Sequence, residues 1–149
     1  MTIGRAIFAV LAGVCTLAAA PAHAANELLP GLWQDTESGE ANGKPIPPKV
    51  TTSCVTPEDA RDPVKMLQDE MKKEAQECSK TNIKQNGNVI LFEMKCGDPK
   101  QMEIEMTLTY TVHSPQHSSS IGKTTMTIVG RKLTSTTVSD GKWIAEKCK

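Results

Sequence analysis

The chain has 149 residues, with 17 basic and 17 acidic side chains and a formal net charge of +0, and only 3% of its residues are aromatic. That balance argues against a general binder of nucleic acid or of anionic membranes, and so few rings leave little to stack on bases. Beyond the N-terminal apolar run, no stretch is long and apolar enough for a membrane helix.

The N-terminus carries Arg5, an apolar run from Ala6 to Ala20, and then Ala22-His23-Ala24. A basic start, a short apolar run and an A-x-A pattern predict a secretory signal cleaved after Ala24. Cys15 is not read as a lipidation site, because Val14 before it is larger than such a motif tolerates. Residues 25–149 form one domain by length, exported into an oxidising compartment. A chain this short with few large side chains builds a modest core, and disulfides are the expected remedy.

Residues 31–40 read as a first strand anchored by Trp33, and Asn42-Gly43 as a turn. Residues 44–54 hold Pro45, Pro47 and Pro48, which confine them to an edge strand or an extended arm. Thr56-Pro57 is a helix start, with Thr56 as N-cap and Pro57 at the first helical position. Asp62-Pro63 repeats the signature, so a short first turn gives way to a longer helix from 63 to about 77. There Val64, Leu67, Met71, Ala75 and Cys78 form one apolar stripe at helical spacing, which predicts a helix laid across a sheet.

Asn86-Gly87 predicts a two-residue type I′ hairpin. Folding the chain there pairs Ile83 with Ile90, Thr81 with Phe92 and Ser79 with Met94, and brings Cys78 beside Cys96. Downstream of the signal lie Cys54, Cys78, Cys96 and Cys148, which allow three connectivities. The hairpin favours Cys78–Cys96 and leaves Cys54–Cys148. With no C-x-x-C and no closely spaced ligand pair, neither redox nor zinc chemistry is indicated.

Residues 102–112 alternate without a break. Met102, Ile104, Met106, Leu108, Tyr110 and Val112 share one face, and glutamates and threonines share the other. Residues 113–119 read as a loop and 120–130 as a returning strand. Residues 131–138 and 142–148 read as last strands separated by Asp140-Gly141. Together these elements predict a mainly β (α+β) domain: a curved antiparallel sheet or incomplete barrel, with one helix on its concave face and two disulfides.

No G-x-S-x-G, H-E-x-x-H, P-loop or Cys–His nucleophile pattern occurs, so no catalytic residue and no cofactor is expected. Glu93, Glu103 and Glu105 fall on outward strand faces, as ordinary polar positions do. The leading expectation is a non-catalytic binding or accessory protein that encloses a small apolar ligand or offers an edge to a protein partner. The alternative is copper handling. Met94, Met102, Met106 and Met126 share inward faces, His113 and His117 are four apart, and thioethers suit Cu(I). Methionine is also ordinary core filler.

Pro30-Gly31-Leu32-Trp33, Cys54-Val55-Thr56-Pro57-Glu58-Asp59, the Cys78…Cys96 hairpin and a C-terminal cysteine together resemble the bacterial exported family catalogued as domain of unknown function 3617. The resemblance covers nearly the whole chain after Ala24. It implies a periplasmic setting and supplies no activity and no catalytic residues. Residues 131–147, with Trp143, depart from the short Gly-rich run that usually precedes the family's last cysteine.

Overall fold

A computed structural model describes residues 26–74, 78–98 and 100–148. The expected export signal and its cleavage point lie outside these residues. The elements in chain order are β1 (Gly31–Ala41), β2 (Lys44–Val55), α1 (Pro57–Arg61), α2 (Pro63–Glu74), β3 (Cys78–Asn86), β4 (Val89–Asp98), β5 (Met102–Ser114), β6 (His117–Ile128) and β7 (Arg131–Ala145).

All strands join one antiparallel sheet of seven, in the order β2-β1-β7-β6-β5-β4-β3. The sheet is open, with β2 at one edge and β3 at the other. These edge strands are consecutive in sequence, so the chain between them must cross a face of the sheet. That crossing is α1 and α2. The two cysteine pairs bracket it: Cys54, near the end of β2, lies at disulfide distance from Cys148, and Cys78, at the start of β3, from Cys96.

The period-2 pattern of β5 decides which face is covered. Residues directly opposite in antiparallel strands share a face. Tyr110 stands opposite Ile90 and Ser120, and Leu108 opposite Phe92 and Gly122. Ile90, Phe92, Met94 and Val112 are buried on this side, and Trp33 is 2% exposed. Leu67 of α2 is buried over the same face, at the position its apolar stripe assigns. The face outruns its cover: toward the far end of β5, Met102, Ile128 and Leu133 remain exposed.

The segment before β1 is laced into this core. Leu28 N–H donates to the Ala60 carbonyl at 2.9 Å, and Leu29 N–H to the Pro115 carbonyl at 2.7 Å. Trp33 Nε1 donates to Leu29 O at 2.8 Å and Trp143 Nε1 to Pro30 O at 3.1 Å. Leu28, Trp33, Ala60 and Val112 pack together as one buried cluster.

Thr56 caps α1 as its sequence predicts. Its Oγ1 accepts from Asp59 N–H at 3.2 Å and donates to Asp59 Oδ2 at 2.7 Å. Pro57 fills the first helical position, where a missing N–H costs nothing. Replacing Thr56 by alanine is expected to cost about 1 kcal/mol, read as a lower urea midpoint with an unchanged slope.

Three expectations are corrected. The hairpin turn falls one residue later, at Gly87-Asn88: Asn86 pairs with Val89, Ile83 with Phe92 and Thr81 with Met94. Gly87 takes φ 58° and Asn88 has no positive φ, so the turn puts glycine first, in the type II′ manner rather than type I′. Asn88 is held by β5, since its Nδ2 donates to Val112 O and its own carbonyl accepts from Val112 N–H, both at 2.9 Å. A bulge at Ser79 then restores the parity that sets Cys78 opposite Cys96. Second, residues 113–119 are not a loop. β5 and β6 run almost to the Pro115-Gln116 turn, where Ser114 pairs with His117. Third, Asp140-Gly141 does not divide two strands; both lie inside the continuous β7.

Candidate functional site

A cavity of about 380 Å³ remains between α2 and the sheet. Its apolar wall is Leu28, Trp33, Met66, Leu67 and Leu108. Its polar wall is more unusual, for Asp35, Ser53, Tyr110, Ser118, Ser120 and Glu70 converge on it from five elements. Among the described residues no Lys, Arg or His lines it; Asp59 does, but its carboxylate is engaged by Thr56.

The register explains the convergence. Gly141 stands opposite both Asp35 and Ser118 on the helix-covered face. A Cβ there would lie 2.7 Å from Asp35 Oδ1 and 2.9 Å from Ser118 Oγ, so both side chains lean into space that only glycine leaves free. Ser53 Oγ donates to Asp35 Oδ2 at 3.4 Å. Tyr110 and Ser118 line the cavity together, and Ser118 is 5% exposed.

The electrostatics of this wall are uniformly negative. Burial pushes the Asp35 carboxyl above its ordinary value; the Ser53 hydroxyl opposes this, and Asp140 and Glu37 add to it. Burial likewise raises the Tyr110 hydroxyl, with Ser118 opposing and Asp35 and Glu70 adding. A carboxylate kept half-buried, with no cation in contact among the described residues, is costly by itself and favours a cation or a hydrogen-bond donor brought to it.

The stability consequence has a definite sign. The folded pKa of Asp35 lies above the ordinary value of 3.8. Between the two values the native state holds the extra proton, so stability falls as pH rises through that window and the cost persists above it. Asp35→Asn is therefore expected to raise stability at pH 7 and to lose that advantage near pH 3, below the unfolded pKa, as denaturant titrations at the two pH values would show.

The residues singled out from sequence are elsewhere. Met94 and Met106 face each other across β4 and β5, Met126 stands opposite Ile104, and Met102 opposite Ile128. Met94 is buried and Met102 is 48% exposed, so the four thioethers are spread along the face from the core to its bare end. His113 and His117 do come together, their rings stacked with centroids 4.6 Å apart. Each already has a partner: His113 Nε2 meets Ser119 Oγ and His117 Nε2 meets Asp140 Oδ2, both at 2.7 Å. The His117 bond, ahead of that from Lys142, holds the Asp140 carboxyl below its usual range. Among the described residues no group of three or more His, Cys, Asp and Glu is placed to hold a metal ion. Glu103 and Glu105 are bridged by Lys95 Nζ at 3.0 and 2.8 Å, and Glu93 accepts from Asn82.

Sequence reasoning passed over Asp35, Tyr110, Ser118 and Glu70 as a set. The available signals were a carboxylate two residues from the Trp33 anchor, on the same strand face, and a glycine inside a strand. A strand glycine often marks a close approach.

An open antiparallel sheet with a helical crossover, two cysteine pairs at disulfide distance and a half-polar cavity under the helix defines the class. Residues 28–148 match the family described as a protein of unknown function, DUF3617, and the chain belongs to that family. The match begins at buried Leu28 and ends at Cys148, so it coincides with the structural unit. No curated protein and no solved structure matches the chain.

The segments that carry the resemblance have structural roles. Cys54 lies at disulfide distance from Cys148, Thr56 and Asp59 form the helix cap, Pro30 O accepts from Trp143 of β7, and nearby Leu28 N–H donates to Ala60 of α1.

Proposed function

We propose that this protein is a non-catalytic periplasmic binding module whose ligand sits between α2 and the sheet. The cavity carries the reading, because its volume falls in the range of small-molecule sites. Its walls call for an amphiphile rather than the purely apolar molecule expected from sequence. An apolar body would lie against Trp33, Leu67 and Leu108, and an ammonium or hydroxyl head would face Asp35 and Glu70. The export signal in the sequence and the two cysteine pairs support an oxidising, periplasmic setting. Among the described residues no helix is long and apolar enough to cross a membrane.

Octylamine, octanol and octanoate, which share one chain and differ in head group, test the reading by tryptophan fluorescence. The amine is expected to bind saturably at pH 7, the alcohol more weakly and the acid not at all. Asp35→Asn should erase the preference for the amine while leaving the alcohol bound. Failure of both amine and alcohol to bind would overturn the reading.

A further inference from the structure

A second concavity, of about 330 Å³, lies outside that cavity, between α2 and the edge strand β3. Met71, Ile83 and Phe92 give it an apolar floor, and Gln68, Lys72 and Asn82 line its rim. Among the described residues β3 pairs only with β4, so along its outer side alternate residues turn N–H and C=O groups away from the sheet. The two edges differ. β2 carries three prolines, which remove donors and block strand addition, whereas β3 has none in its nine residues. The Cys78–Cys96 pair anchors the start of β3 to its neighbour, so the edge is held at the groove's end.

Charge says what fits there. β3 contains two lysines, Lys80 and Lys84, and no acidic residue, and among the described residues Lys72 is the charged one lining the groove, only loosely paired to Asp69 at 3.5 Å. Lysines on an edge oppose a second copy of the same edge or a basic strand. They attract an extended segment with acidic side chains, and the apolar floor accepts one side chain from it. A strand laid beside an edge with a helix flanking it draws affinity from main-chain bonds and specificity from the pocket.

We propose that the groove between α2 and β3 receives an extended acidic peptide, which adds to the seven-stranded sheet as a further strand and seats an apolar side chain over Met71, Ile83 and Phe92. This site is separate from the cavity under α2 and stands or falls independently of it. The probe is a fluorescent pool of extended peptides that alternate Glu with varied apolar residues, with a matching Lys pool as control. The acidic pool is expected to bind saturably, to weaken with added salt, and to slow amide hydrogen exchange within Thr81–Gln85. The Lys72→Glu/Lys84→Glu variant, altered at exposed side chains, should weaken the acidic pool on the order of tenfold and admit the basic one. Absence of acidic-pool binding, binding indifferent to the charge reversal, or protection at β2 instead would each overturn the proposal. So would self-association through β3, detected by sedimentation. Octylamine binding measured beside it keeps failure of this groove distinct from failure of the cavity.

Discussion

Replacing Gly31 by alanine is expected to lower the folding free energy by roughly 3–5 kcal/mol, combining backbone strain with an overpacked contact. Gly31 takes φ 129°, a region L side chains rarely enter, and its Cβ would stand 2.2 Å from the Ala145 carbonyl oxygen and 2.9 Å from Glu146 Cα. Both neighbours are backbone, so no rotamer change relieves the contact. The glycine sits where the N-terminal segment turns into β1, between Leu29, whose carbonyl holds Trp33, and the β7 end that carries Trp143. A clash there separates β1 from β7 and loosens the cluster of Leu28, Trp33, Ala60 and Val112. Gly43→Ala is the control. Its φ is +74° and nothing lies within 4 Å of its Cβ, so only the turn's strain, about 1 kcal/mol, is expected. Urea midpoints of the two variants decide the matter, and equal losses would show that the approach of Gly31 to Ala145 is not what constrains this site.

The second large effect belongs to the cysteine pair of longer reach. Removing Cys54–Cys148 with serines releases a loop with a sequence separation of 94, against 18 for Cys78–Cys96. Loop-closure entropy assigns about 4–5 kcal/mol to the first and about 3 kcal/mol to the second. A domain of this size has a total stability of about 5–15 kcal/mol, so the first loss takes much of it. The bond also ties the chain just before α1 to the end that follows β7. The Cys54→Ser/Cys148→Ser variant should therefore unfold at markedly lower temperature than Cys78→Ser/Cys96→Ser, and calorimetry on both compares them directly. The reverse order would mean that local tethering of β3 matters more than closure of the long loop.

Much of the architecture was legible because it rests on short-range rules. Thr56-Pro57 specifies a cap and a first helical turn whatever surrounds it. The alternation of Met102 to Val112 specifies a strand with one buried face. The prolines of β2 confine it to an edge, and there it lies. Local rules failed where a distant partner competes. Asn86-Gly87 is the stronger turn signal in isolation, but Asn88 is clamped from both its side chain and its carbonyl by Val112, and the turn moves to satisfy those bonds. Asp140-Gly141 looks like a strand break by composition. It stays extended because β1 and β6 pair with it from either side.

The sequence alone therefore determined most element types and the edge strand, and favoured one cysteine pairing of three, since each rests on residues near one another or on a single turn. Tertiary structure alone decided the candidate site. Asp35, Glu70, Tyr110 and Ser118 come from β1, α2, β5 and β6, and they meet because the strand order places β7 between β1 and β6 and a bare Gly141 beneath them. Local periodicity reports which way a side chain faces; which strands become neighbours, and hence which polar groups share one cavity, is settled only when the sheet assembles.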